Sequence, residues 1–209
     1  MTFPPLELKV WGEWACFTRP DAKVERLSYP VMTPSAARGI LECIFWKPEM
    51  RWAVREIHVL RPITFFSILR NEVTEKASLR GQPYLVASQV RAQRHSLILR
   101  DVAYIIKADI EAKPGVKNNE AAYRDQFRRR VERGQCFRQP VLGCREFSAS
   151  FALPDSGDQP IEEDIDLGRM LFDLRYEAGP SGRGHPVFFE ASLHQGRLMV
   201  PAALYAEAA

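Results

Sequence analysis

NNEAAYRDQFRRRVERGQCFRQPVLGCREFSASFAL, residues 118–153, is the stretch whose reading decides the fold. Tyr123, Phe127 and Val131 recur at i, i+4 and i+8, which puts them on one face of a helix. Asn118 or Asn119 stands where a cap would open that helix, Glu120 to Arg133, and Gly134 stands where a left-handed residue would close it. Val141 to Leu153 follows, with Phe147, Ala149, Phe151 and Leu153 alternating as in a half-buried strand. A helix followed by a strand near residue 150 completes a series that begins at the N-terminus.

Working back from there, Leu6, Leu8 and Val10 alternate with Glu7, Lys9 and Trp11, the period of a strand. Thr33 and Pro34 suit the cap and first position of a helix with an apolar stripe of Ala36, Ala37, Ile40, Leu41, Ile44 and Phe45, which Lys47-Pro48 ends. Met50 to Pro62 reads as a second strand. Its inward parity changes between Val54 and Ile57, which implies a bulge. Leu97 to Ile110 reads as a third. Between them the basic stretch from about 67 to 96 is too long for a tight hairpin and reads as a mobile functional loop.

The order βαββαβ predicts an α+β chain with a ferredoxin-like domain over 1–153. After PDSGDQPIEED, strand signals at Met170 to Tyr176, Val187 to Leu193 and Arg197 to Val200 predict a small antiparallel β-sheet domain over 154–209.

With 209 residues, 46% of them hydrophobic, the chain can bury a substantial core. Cys16, Cys43, Cys136 and Cys144 form no CxxC pair and lack histidines at ligand spacing, so the expectation is reduced, buried thiols with no metal and no cofactor. There is no basic-then-apolar leader and no apolar run long enough to span a bilayer, and a cytoplasmic protein without a membrane partner is expected.

Charge comes in blocks. From 122 to 145 seven arginines face only Asp125 and Glu132, net +5, in a chain whose total is +3, so the remainder is net acidic. Lys76 to Arg100 carries five cations and no acid, whereas Pro154 to Glu177 holds eight acids against Arg169 and Arg175. Arginine clustered beside Tyr and Phe suits a phosphate backbone with unpaired bases. Helix-dipole compensation, about 0.3–1 kcal/mol per exposed cation in the last turn, accounts for about two of them. It leaves Arg124 near the helix start, and Arg138 and Arg145 beyond its end. Arg124, Arg128, Arg129, Arg130, Arg133, Arg138 and Arg145, with Arg91 and Arg94 from the basic stretch, are the candidate RNA-binding residues. Such a face also fits duplex DNA bound nonspecifically. The acidic block is expected to keep the C-terminal strands off nucleic acid and to face a protein partner.

The strings GQCFRQPVLGCREFSASF (134–151), IFWKP (44–48) and LELKVWGEWACFTRP (6–20) resemble the CRISPR-associated (Cas) protein family five, d-type, of the RAMP superfamily and type I-C systems, from about Leu6 to Pro201. The resemblance implies a ferredoxin-like (RAMP/RRM-like) domain followed by a small β-sheet domain. It implies an endoribonuclease that binds the stem-loop of a CRISPR repeat RNA, cleaves without metal through the 2′-hydroxyl and keeps the 5′ handle of the guide RNA. The partners would then be the other subunits of the type I-C Cascade complex.

The family's catalytic trio is a Tyr in the IYWKP-like string and a Lys-His pair at the second helix. Here those positions hold Phe45, Ala122 and Tyr123. Phe45 has no hydroxyl and Ala122 no charge. Tyr123 can donate a hydrogen bond, although a phenol is a weak base near neutrality. Lys117 and Lys47 are candidate replacement cations at the scissile phosphate. Two functions therefore stand open: a nuclease using Tyr123, Lys117 and Lys47, or a non-catalytic RNA-binding scaffold in the same complex.

Overall fold

The computed structural model describes residues 3–22, 25–75, 84, 86–113, 115, 119–176, 182 and 184–206. In chain order these form β1 (Leu6–Ala15), β2 (Arg26–Leu27), α1 (Pro34–Ile44), β3 (Met50–Val59), β4 (Phe65–Val73), β5 (Arg91–Ala112) and α2 (Glu120–Glu132). Then come β6 (Ser150–Ala152), β7 (Ile165–Tyr176), β8 (Gly184–His194), β9 (Arg197–Met199) and α3 (Ala203–Ala206). The chain is α+β. Among the described residues the strands join in one sheet of path β6-β1-β5-β3-β9-β8-β7, with β2 and β4 added on β5. All pairings are antiparallel except that of β2 with β5.

The central strands are amphipathic, as alternation requires. Leu6, Leu8 and Val10 lie opposite Ala108, Ile106 and Tyr104, all buried. The other face carries ion pairs: Lys107–Glu7, Arg51–Glu111, and Arg55 with both Asp109 and Glu111. In β3 the register shifts between Val54 and Glu56, so Arg55 is the inserted residue. Without that bulge Ile57 and Val59 would point to the charged face; with it they stay in the core.

Both main helices cover the apolar face. Thr33 caps α1 by accepting from Ala36 N at 3.3 Å, with Pro34 in the first turn, and Ala37, Ile40, Leu41 and Ile44 are buried. In α2, Phe127 and Val131 are buried and Tyr123 packs beside them. Asn119 precedes α2 but makes no side-chain cap, and Asn118 lies outside the described residues. Trp52 of β3 stacks edge-on to Phe127 at 5.0 Å and donates from Nε1 to the Phe45 carbonyl at 2.8 Å, tying sheet, α2 and the end of α1 together.

Three expectations are corrected. The stretch from 67 to 96 is not a long open loop: β4 pairs with the first half of β5 from Phe65↔Leu99 to Val73↔Arg91, leaving 76–83 and 85 outside the described residues. The alternation of this hairpin is masked because its outer face carries Phe65, Leu69, Val73 and Leu97 in solvent. The strand expected over Val141 to Leu153 is only Ser150–Ala152, since the chain first makes a turn with a single bridge, Val141↔Ser148. The C-terminal strands are not a sheet apart, because β9 pairs with β3 through Glu56↔Met199, Ile57↔Leu198 and His58↔Arg197.

The turn at 140–149 is pinned to β1. Leu142 O accepts from Cys16 N at 3.0 Å, and Leu142 N donates to Phe147 O at 2.7 Å. Gly143 sits at φ +88°, and a Cβ there would lie 2.0 Å from the Cys16 carbonyl oxygen. A left-handed non-glycine residue costs about 1–3 kcal/mol before any clash. Gly143→Ala should therefore lose at least that much unfolding free energy, read as a lower urea midpoint; a midpoint equal to wild type would show that the turn can move away from β1.

Candidate nucleic-acid interface

The C-terminus of α2 is built so that the next residues reach the end of α1. Gly134 takes φ +61°, its N–H donates to Val131 O at 3.0 Å, and Gln135 N donates to Arg130 O at 2.8 Å. This paired closure is the glycine-dependent helix stop. It turns the chain back so that Phe137 N donates to the Cys43 carbonyl at 2.8 Å.

Between the two segments lies a groove of about 560 Å³, lined by Glu42, Cys43, Trp46, Lys47, Pro48, Phe137 and Arg138. Lys47 and Arg138, expected at the reaction site and the RNA face respectively, are thus brought together. Their neighbours Trp46 and Phe137 were not singled out from the sequence. They are 45% and 66% exposed, an aromatic next to a cation in each arm. That repeated pairing, Trp46-Lys47 and Phe137-Arg138, placed just past helix ends, was the available signal.

The positions the resemblance marks as catalytic also meet in space. Phe45, fully buried, has its ring centroid 5.9 Å from that of Tyr123, although one ends α1 and the other opens α2. Tyr123 is half-buried, and its hydroxyl has no hydrogen-bond partner among the described residues, so a substrate atom can use it. Ala122 is exposed beside it. Lys117 lies outside the described residues.

The arginines divide by role. Arg128, Arg129 and Arg133 are exposed on the outer face of α2 and make no ion pair among the described residues; Arg129 reaches only the Asp125 carbonyl. Arg145 is exposed on the pinned turn. Arg130 lies 4.0 Å over the Phe137 ring. Arg91 and Arg94 belong to the β4–β5 hairpin and, three residues apart on one strand, point to opposite faces. They are not brought to α2 as one surface.

Arg124 is a correction. It is 3% exposed, donates to the Pro4 carbonyl, pairs with Glu120 and lies over the Phe3 ring at 5.1 Å. Burial holds its guanidinium below the ordinary value, with Arg128 adding to the effect. It anchors the N-terminus rather than a phosphate. The sequence held a sign of this, since Arg124 sits three residues from Phe127 and seven from Val131, on the buried stripe.

Several other arginines are neutralised within the protein. Arg38 holds Asp173 and Glu42, both at under 3 Å, and Arg70 and Arg26 share Glu72 and Glu146. Arg26 also donates to the Cys144 thiol, which the neighbouring Cys16 thiol, by hydrogen bonding, pulls well below the usual range. Part of the acidic block is engaged internally too: Asp173 on Arg38, Asp158 on Lys9, and Asp164 accepting from Gln195 N at 2.9 Å. Arg128, Arg129, Arg133, Arg138 and Arg145, on α2 and the segment behind it, have no carboxylate partner among the described residues.

No described helix is long and apolar enough to cross a membrane. Residues 5–201 match the Cas5d family, described as CRISPR-associated protein (Cas_Cas5). A Thermus thermophilus protein named CRISPR pre-crRNA endoribonuclease Cas5d is 48% identical over 97% of this chain and 93% of its own length. A Mannheimia succiniciproducens protein of the same name is 44% identical over 97% of this chain and 96% of its own. The crystal structure of a CRISPR-associated protein superposes with TM-score 0.68 at 22% identity, covering 94% of this chain and 91% of that one.

Replacing Arg124 by Ala removes the donor to Pro4 O and the cation over the Phe3 ring, so a loss of about 1–3 kcal/mol is expected. Arg128→Ala and Arg129→Ala should stay within about 0.5 kcal/mol of wild type. Chemical denaturation of the three variants checks the division; equal stabilities would put Arg124 back on the surface.

Proposed function

The chain belongs to the Cas5d family of CRISPR-associated proteins, and from that premise we propose that it is a CRISPR precursor-RNA endoribonuclease and a Cascade subunit of a type I-C system. It recognises the repeat stem-loop, cleaves without metal through the 2′-hydroxyl and keeps the 5′ handle. The observation that carries the reading is the meeting of Phe45 and Tyr123 beside cations that no carboxylate among the described residues neutralises.

The proposed framework for this site is ferredoxin-like. The order β6-β1-β5-β3, with α1 following β1 and α2 following β5 on one face, supports a split βαβ pair. We take 1–153 as that RAMP domain and 154–209 as its β-sheet extension. Exposed acids of the extension, Glu162, Glu163 and Glu190 among them, suit a neighbouring subunit rather than RNA. The precursor is transcribed and consumed in the cytoplasm, where we place the protein.

Metal-free cleavage needs a 2′-oxygen in line with the departing 5′-oxygen, a proton acceptor, and positive charge around the pentacoordinate phosphorus. The 2′-oxygen attacks phosphorus, the P–O5′ bond breaks, and a 2′,3′-cyclic phosphate and a 5′-hydroxyl result. Tyr123 is the hydroxyl placed to hydrogen-bond an oxygen of that centre. Lys47, two residues beyond Phe45, supplies charge, and Lys117 is assigned the same role. Arg128, Arg129, Arg133 and Arg145 hold the flanking backbone. A second reading, a non-catalytic scaffold that grips the guide's 5′ handle, rests on Phe45 and Ala122, which carry no acid-base group. The same exposed arginines fit duplex DNA without sequence preference.

Incubation with repeat RNA in excess EDTA should yield one cut and a cyclic phosphate end, and a 2′-deoxy nucleotide at the scissile position should abolish it. Intact RNA with retained hairpin binding would leave the scaffold reading. Separately, Arg128→Ala with Arg129→Ala should weaken binding and flatten the plot of log affinity against log salt by about 0.7–0.9 for each phosphate no longer neutralised. An unchanged slope would mean that these arginines face something other than RNA.

A further inference from the structure

The groove between the end of α1 and the segment after α2 has a character that backbone gripping does not need. Scattered exposed apolar side chains are ordinary and decide nothing. Trp46 and Phe137 differ because each is flanked by a cation, and Phe137 is in addition held in place. Phe137 is fixed through its N–H on Cys43 O at 2.8 Å, yet leaves 66% of its surface in solvent. Arg130 covers one side of its ring at 4.0 Å, which pins the ring and leaves the other side for a partner. Arg138 is steadied in the same place by Nη2 on Cys43 Sγ at 3.6 Å.

We propose that this groove takes one unpaired base of the RNA, stacked on Phe137 and bordered by Trp46, with Lys47 and Arg138 on the phosphates that flank it. The inference rests on the RNA-processing reading and adds a nucleotide subsite to it. Three features support an RNA base as the occupant. The volume, about 560 Å³, lies within the range of pockets that hold small ligands and cannot admit a duplex. Single-stranded RNA is recognised by bases turned out onto aromatic rings, whose faces accept any base. The one carboxylate lining the groove, Glu42, is held by Arg38 Nη1 at 2.7 Å, so it does not oppose a phosphate.

The subsite also has a defined position in the chain. Trp46 follows Phe45, whose ring touches that of Tyr123, so a base in the groove lies next to the proposed reaction centre. A base held there restrains the backbone on one side of the scissile bond. In-line attack depends on such restraint.

The test uses repeat hairpins carrying 2-aminopurine at one unpaired position at a time on either side of the stem, titrated into the full chain. In wild type one position should be quenched on binding. Phe137→Ala should abolish quenching at that position and weaken binding by about 5- to 150-fold, the loss expected for one base stack. Phe137→Trp should restore both. Because Phe137 is mostly exposed, the thermal midpoint of the Ala variant should match wild type, which separates a missing stack from a failure to fold. Tight binding by Phe137→Ala with an unchanged quenching pattern, or quenching at no position in wild type, overturns the subsite while the RNA-processing reading stands. Failure of wild type to bind the hairpin at all overturns both.

Discussion

Trp52 is the side chain on which the rest of the site depends. Its indole is fully buried in β3, meets Phe127 of α2 edge-on at 5.0 Å and donates to the carbonyl of Phe45 at 2.8 Å. A buried indole N–H needs a partner, and here the partner is the residue at which α1 stops. Phe45 leaves helical geometry at φ −149° and ψ 126°, so its carbonyl is free of the helix ladder and open to that bond. The same bond sets the direction of Trp46 and Lys47. Phe127 in turn fixes the roll of α2, which brings Tyr123 to Phe45 on one side and sends Arg128, Arg129 and Arg133 outward on the other.

The second organising constraint is where positive charge goes unanswered. Arg51 and Arg55 of the sheet and Arg38 of α1 are placed opposite carboxylates: Arg51 on Glu111, Arg55 on Asp109 and Glu111, and Arg38 on Asp173. These half-buried ion pairs cancel the field of the cations involved. On α2 the exposed arginines have no such partners among the described residues, and the field there survives to attract a polyanion. A total charge of +3 conceals this, since carboxylates such as Glu111, Asp109 and Asp173 are already bound elsewhere.

Much of the frame was legible in the sequence because it rests on local periodicity. The β1 alternation, the cap and stripe of α1, the bulge in β3 and the Tyr123–Phe127–Val131 face all follow from residues a few positions apart. What escaped was non-local. The β4–β5 hairpin shows its apolar residues to solvent, so its pattern does not separate inside from outside. The pairing of β9 with β3 joins residues far apart in the chain, and no local signal announces it. Arg124 is buried because Phe3 and Pro4 come down over α2, an arrangement invisible from the helix alone. The groove at Trp46 and Phe137 exists only once the glycine stop at Gly134 has turned the chain back.

The substituted catalytic positions can then be weighed by magnitude. A positioned general acid or base contributes typically about 10²–10⁴ in rate. Orientation contributes more, up to effective concentrations of about 10⁵ M and above, and one well-placed donor to developing charge about 10²–10³. This chain lacks the hydroxyl at Phe45 and the charge at Ala122, but keeps the frame that juxtaposes those positions, a phenol at Tyr123 with an unengaged hydroxyl, and cations beside them. In the proposed reaction, losing the first contribution while retaining the other two would slow in-line attack by the 2′-oxygen without removing the means for it. Orientation is set by Trp52 and the two helix ends, which are core features; the positions without an acid-base group are the buried Phe45 and the exposed Ala122, and neither removes those features. A site of this construction loses rate before it loses geometry, and it loses RNA binding last.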